Sequence, residues 1–164
     1  LYSGDFHAME KTAQLIIQVS GRAGRADKPG IILLQTYQPD NRLLQLLVTC
    51  DYLEFLDYLL EQRKFAKYPP YTYQAQIIAE SKKESAVLEF MNNLNEKVSV
   101  CKGVLISGPM PALHLKKNNT YKYRLLITSS SRLQINSLMK WVKLKVPQQH
   151  DVKLSFDIDP ISLE

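Results

Sequence analysis

The chain has 164 residues, 45% hydrophobic and 23% charged, which suits a soluble globular protein with room for one domain or for one domain and part of another. No apolar run approaches the roughly 18 residues of a membrane span, and the two cysteines, Cys50 and Cys101, have neither metal-ligand spacing nor a disulfide pattern. The chain starts at Leu1 with no signal-peptide pattern after it, and reads as a piece of a longer, reduced, cytoplasmic protein.

The net charge of +5 is unevenly spread. Residues 1–71 carry 8 Lys+Arg against 8 Asp+Glu, whereas residues 72–164 carry 13 against 8. No Asp or Glu lies between Glu96 and Asp151, and that interval holds Lys97, Lys102, Lys116, Lys117, Lys122, Arg124, Arg132, Lys140, Lys143 and Lys145. Such a field attracts a polyanion or an acidic peptide, and reads equally as a solvated lysine-rich surface.

In chain order, residues 7–20 read as a helix with Met9, Ala13 and Ile16 on one face, ended by Gly21 and Gly24. The stretch Gln18-Val19-Ser20-Gly21-Arg22-Ala23-Gly24-Arg25 then sets two arginines on a tight turn. Arginine is a planar, always-charged fork suited to phosphate, and glycine lets backbone lie close to a ligand. After a Lys28-Pro29-Gly30 turn, Ile31–Thr36 is a continuous apolar run of strand length, as in a buried parallel sheet. This helix–loop–strand unit is too small to build a core and reads as the end of an α/β domain. Asp40 is expected to cap a short helix through Val48, and Asp51 a longer one carrying Phe55, Leu56 and Leu59. Lys67-Tyr68-Pro69-Pro70-Tyr71 stops that helix, and the domain boundary is placed there.

The remainder alternates regularly. Tyr73–Ala79 reads as a strand, and Lys83–Val100 as a helix with Val87, Phe90, Met91, Leu94 and Val98 on one face. Val104–Ser107 is a short strand before a Gly108-Pro109-Met110-Pro111 corner, and Tyr121–Thr128 is another strand. Arg132–Val146 is helical, with Leu133, Leu138, Trp141 and Val142 apolar and Trp141 read as core. Val152–Ile158 closes the order. This βαββαβ sequence predicts an antiparallel sheet with two helices on one face, the ferredoxin-like arrangement.

Lys116, Lys117, Asn118 and Asn119 are expected in a hairpin loop able to reach phosphates, with Tyr121, Tyr123 and Arg124 on the next strand. One of the tyrosines reads as a stacking ring or as core. Arg132 opens the last helix, where its fork can meet a carboxylate or remain an ordinary surface group. His114 and His150 have no ligand spacing. Asp157 and Asp159 alternate on one strand face, which favours capping or ion pairing over metal binding.

Gln18 to Arg25 resembles the last motif of superfamily 2 helicases, which lies at the cleft between two nucleotide-binding lobes. By that resemblance Arg22 and Arg25 act catalytically on ATP phosphates, and Gln18, Gly21 and Gly24 belong to the nucleotide-sensing turn. An arginine finger of this kind is worth about 10³–10⁵ in rate. No Gly-x-x-x-x-Gly-Lys-Ser/Thr loop is present, so this chain alone is expected not to hydrolyse ATP.

The flanks narrow the family. Asp5-Phe6-His7-Ala8-Met9-Glu10-Lys11, Gly30–Tyr37, Glu61–Lys64 with Tyr68–Tyr71, Gly108–Ala112, Tyr121–Ile127 and Asp157–Pro160 together resemble the bacterial primosomal protein N′ (PriA) family of replication-restart helicases. That family usually has arginine where His7, Lys11, Lys116 and Lys122 stand, and Trp-Gln where Tyr123-Arg124 stand.

The resemblance implies an α/β plus α+β chain. Residues 1–38 would end a RecA-like helicase lobe, 39–71 form a helical connector and 72–164 a carboxy-terminal ferredoxin-like domain. The implied parent is a 3′→5′ DNA helicase that recognises stalled forks and starts primosome assembly. It would use ATP and Mg held mainly outside this chain, and zinc in the parent only. Implied partners are forked and single-stranded DNA, single-stranded DNA-binding protein and primosome loading proteins, in the bacterial cytoplasm near the nucleoid. Lys116, Lys117, Lys122, Tyr123 and Arg124 are the implied DNA contacts and Arg132 the partner-docking residue. The rival reading is a non-catalytic adaptor that binds forked DNA and partner proteins.

Overall fold

The computed structural model describes residues 7–23, 31–49, 52–117 and 119–161. The chain divides into two compact units, Leu1–Ala66 and Lys67–Glu164.

The first unit has three helices: α1 (Ala8–Ala23), α2 (Arg42–Val48) and α3 (Tyr52–Phe65). Its core gathers Ala13, Leu44, Leu46, Leu47, Phe55 and Leu59, with Met9 and Ile16 packed against them. Glu10 in the first turn of α1 accepts a 2.8 Å charged hydrogen bond from Arg63 in the last turn of α3, clamping the two helices. Three expectations are corrected here. α1 runs through Gly21 and Arg22 to Ala23, as a single helical glycine costs only about 1 kcal/mol. The N-cap of α2 is Asn41, whose side chain accepts from the Leu43 amide at 3.0 Å, rather than Asp40. Residues 31–36 have no regular structure, and Ile31 and Leu33 are exposed, since no described strand of this unit lies beside them. Asp51, the expected cap of α3, lies outside the described residues, as does the Lys28–Gly30 turn.

The second unit holds four strands and two helices: β1 (Tyr73–Ser81), α4 (Glu84–Val98), β2 (Leu105–Lys117), β3 (Thr120–Ser129), α5 (Arg132–Lys145) and β4 (Lys153–Ile158). The sheet is antiparallel at every pairing, in the order β2-β3-β1-β4. Odd-numbered residues of the central strands, Ala75, Ile77 and Ala79 on β1 and Tyr123, Leu125 and Ile127 on β3, meet α4 and α5 in one core. The helices contribute Val87, Phe90, Met91, Leu94 and Val98 from α4, and Ile135, Leu138, Met139 and Val142 from α5. Small Ala75 and Ala79 flanking Ile77 leave room for the helices to close on the sheet.

β2 is longer than its sequence suggests. The Gly108–Pro111 corner is an irregularity inside the strand, with register shifts on both sides of Met110 and Pro111. Gly108 has φ +121°, and a Cβ there would lie 2.7 Å from the Arg124 carbonyl oxygen, so β2 can approach β3 only because this residue is glycine. Prolines at 109 and 111 remove amide donors from an edge strand, which blunts it against pairing with another chain. Lys116 and Lys117, expected in a loop, end β2 opposite Tyr121 and Thr120, and Asn119 at φ +58° makes the return to β3. Asn118 lies outside the described residues.

Candidate nucleic-acid interface

Even-numbered residues of β3 point away from the helices, as the alternation of a strand requires. Lys122 and Arg124 therefore share the helix-free face, while Tyr123 between them turns inward. Tyr123 is 9% exposed and its hydroxyl donates to Glu84 Oε1 at 2.8 Å, tying β3 to the first turn of α4. That hydrogen bond, reinforced by burial, raises the phenol pKa above its usual value. A ring held there packs against the core and turns away from the face that carries Lys122 and Arg124.

Lys122 pairs with Glu80 at 2.8 Å, directly opposite it on β1. The pair cancels much of the charge that Lys122 would otherwise offer a phosphate. Arg124 is partly buried, which lowers its pKa, yet a guanidinium remains charged at any physiological pH. Its Nη1 is buried without a hydrogen-bond partner, as is Oε1 of Gln74 on the same sheet face. Arg132 is engaged within the unit: Nη2 meets Asp159 Oδ2 at 2.5 Å, and the guanidinium lies 5.1 Å from the Tyr73 ring centroid. Asp157, on β4, accepts from the Gln76 amide at 3.2 Å, and Asp159 follows the strand at φ +54°. Both aspartates thus serve pairing within the unit.

The exposed cations lie elsewhere in the acid-free interval. Lys102 on the α4–β2 connection, and Lys140, Lys143 and Lys145 on α5, all face solvent. Lys102 lines a groove of about 470 Å³ together with Cys101, Val104, Leu133, Gln134 and Trp141 among others. Trp141 reads as core from the sequence, and Leu133 as an apolar position of the same helix. Instead Ile135, Leu138, Met139 and Val142 fill the core, leaving Leu133 77% and Trp141 40% exposed. A helix with apolar residues on two stripes offers two registers, and the more continuous stripe is buried here. The groove residues carried a sequence signal only in the charge distribution, since their apolar members read as core.

The groove's floor is anchored by Ser129. Its Oγ lies 2.7 Å from both Gly103 O and Gln134 Oε1 and accepts from the Ser131 amide at 3.1 Å. Gly103 sits at φ +82°, a backbone conformation in which any side chain is strained.

In the first unit, Gln18 and Gly21 line a separate cavity of about 900 Å³ with Lys11, Leu15, Leu46 and Tyr52. Arg22 is exposed in the last turn of α1, where a cation suits the helix dipole. Gly24 and Arg25, the other half of the expected nucleotide-sensing turn, lie outside the described residues. Among the described residues, no group of three or more His, Cys, Asp or Glu is arranged to hold a metal. No described helix is long and apolar enough to cross a membrane.

A basic, mixed α/β unit built on a four-stranded antiparallel sheet is the class of protein defined here. The chain belongs to the family described as Primosomal protein N C-terminal domain, whose sequence model matches residues 64–161. It is 36% identical over 166 residues to the "Replication restart protein PriA" of Haemophilus influenzae, covering 99% of this chain and 23% of that protein. The protein of the same name from Rickettsia typhi is 36% identical over 160 residues (96% of this chain, 24% of that one), and that from Bacillus subtilis 32% over 166 residues (98% and 20%). The chain thus spans about a quarter of the length of these relatives.

Proposed function

We propose that the chain is the carboxy-terminal part of an ATP-dependent 3′→5′ DNA helicase that recognises stalled forks and begins primosome assembly for replication restart, with the Lys67–Glu164 unit binding DNA. The observation that carries the DNA-binding part is the exposure of Lys102, Lys140, Lys143 and Lys145 within a sequence interval that holds no acid. Cations on one surface neutralise backbone phosphates and release counterions, so binding weakens steeply with salt. The parent's replication role is supported by the family match and by the name its relatives carry.

The finer assignments belong to the same proposal. The second unit is ferredoxin-like, supported by the order β2-β3-β1-β4 with both helices in one core. Residues 1–38 end a RecA-like lobe, in which Gln18, Arg22 and Arg25 face the phosphates of ATP and Mg across a cleft. Gln18 and Gly21 at a cavity are compatible with that role, but the phosphate-binding loop must come from outside this sequence, so the chain alone is inactive as an ATPase. Lys116 and Lys117 at the β2–β3 hairpin extend the DNA surface, with Arg124 on the neighbouring strand. Arg132 docks a protein partner such as single-stranded DNA-binding protein by exchanging Asp159 for the partner's carboxylate. A cytoplasmic, nucleoid-associated location follows from this role.

The test is a titration of labelled forked duplex with the purified chain at two salt concentrations. Binding at low salt that falls at least tenfold at high salt, and falls again in Lys140→Glu/Lys143→Glu, supports the reading. Absence of binding at low salt refutes it.

A further inference from the structure

The one tryptophan of the chain, Trp141, lies 40% exposed on α5, where Leu133 and Leu144 are also exposed while Ile135, Leu138, Met139 and Val142 are buried. Tryptophan is highly buried on average, and here it lines a surface groove instead. The groove it lines runs between α5 and the α4–β2 connection, and its surroundings are specific in three respects. Among the described residues, no carboxylate lines it. Lys102 lines it, and Lys140, next to Trp141 in sequence, is exposed on α5. The lining also includes Gln134 and Ser137, whose carboxamide and hydroxyl are groups that can pair with the edge of a flat polar ring.

We propose that this groove is a docking site for an unpaired nucleobase of single-stranded DNA, stacked on the Trp141 ring with flanking phosphates on Lys102 and Lys140. The proposal rests on the DNA-binding reading above and gives it a location. Charge complementarity selects a polyanion. The choice of nucleic acid over an acidic peptide follows from the groove's form: it is open rather than enclosed, and its indole face suits a flat ring better than an aliphatic anchor, which needs an enclosing pocket. Stacking is tolerant of sequence because every base has a π-face, so the site would hold single strands with little base preference.

The sole tryptophan makes the test direct. The purified chain is titrated with a fluorescein-labelled 15-residue oligothymidylate, following the label's anisotropy and, with unlabelled oligomer, the emission of Trp141. The expected result is quenching that saturates in step with binding. An abasic oligomer of equal charge should bind more weakly and leave the emission unchanged. Trp141→Ala should weaken oligothymidylate binding about tenfold by anisotropy while Trp141→Phe retains most of it, the range expected when one base loses its stacking partner. Circular dichroism and melting identify any variant that fails to fold. In that case, Lys102→Ala, expected to raise the salt-dependent Kd severalfold, carries the test.

Oligomer binding with unchanged Trp141 emission overturns the groove and leaves the DNA-binding reading standing. No binding by anisotropy at low salt overturns both. Quenching by a peptide of Asp, Glu and Phe but not by the oligomer overturns the nucleobase in favour of a protein partner.

Discussion

Replacing Tyr123 separates a core role from a DNA role at a position where sequence alone allowed either. In Tyr123→Phe the ring keeps its place and only the 2.8 Å bond to Glu84 is lost. Hydrogen bonds to charged groups are worth about 1.5–3 kcal/mol, and Glu84 is only partly buried, so water recovers part of that and the expected loss is about 1 kcal/mol. Tyr123→Leu also loses ring volume beside Leu125 and α4, bringing the total to about 2–3 kcal/mol. Urea unfolding measures both. DNA affinity at a temperature where each variant is folded should stay within twofold of the parent chain.

The alkaline limb adds an independent check. The folded-state phenol pKa is raised, so this contribution to stability is fully present below the unfolded value of about 10 and is lost as pH climbs through the folded value. Stability should therefore decline above about pH 10 in the parent chain, and decline less in Tyr123→Phe. A Tyr123→Leu variant of unchanged stability with tenfold weaker DNA binding would refute the reasoning, because it would place the ring on the surface.

Two further predictions concern the first unit. Gly21 lies inside α1 with open space where a Cβ would go, so Gly21→Ala should increase helicity and stabilise the unit by about 0.5–1 kcal/mol; a loss of helicity by circular dichroism would mean that the chain turns at this residue. The Glu10–Arg63 pair is mostly shielded on the arginine side, at 12% exposure, so Arg63→Met should cost about 1–3 kcal/mol. It should raise amide hydrogen exchange across α1, and Glu10→Arg combined with Arg63→Glu should recover part of the protection; unchanged exchange in Arg63→Met would show that the clamp contributes nothing.

Periodicity and turn chemistry made much of the second unit legible before any coordinates. The helical spacing of Val87, Phe90, Met91, Leu94 and Val98 describes one buried face, and all five are buried. The alternation of Tyr123, Leu125 and Ile127 likewise marks one side of a strand. These patterns survive because a single face of each element must meet the core, and the period is a property of the local backbone. The acid-free interval was equally plain, because charge depends on composition and needs no partner. Family membership rested on short blocks of sequence, and it too needed no coordinates.

Tertiary structure decided which of several local options was taken. Ile31–Thr36 has the composition of a buried strand but no described strand to pair with, so its residues stay irregular and exposed. Gly21 can end a helix or sit inside one, and only the path of α1 distinguishes them. Leu133 and Trp141 belong to a second apolar stripe on α5, and which stripe is buried depends on how the helix lies against β1 and β3. Lys122 and Arg132 look like free cations until the sheet register brings Glu80 opposite one, and the turn after β4 brings Asp159 to the other. In each case the missing information was a neighbour distant in sequence, which local propensity does not encode.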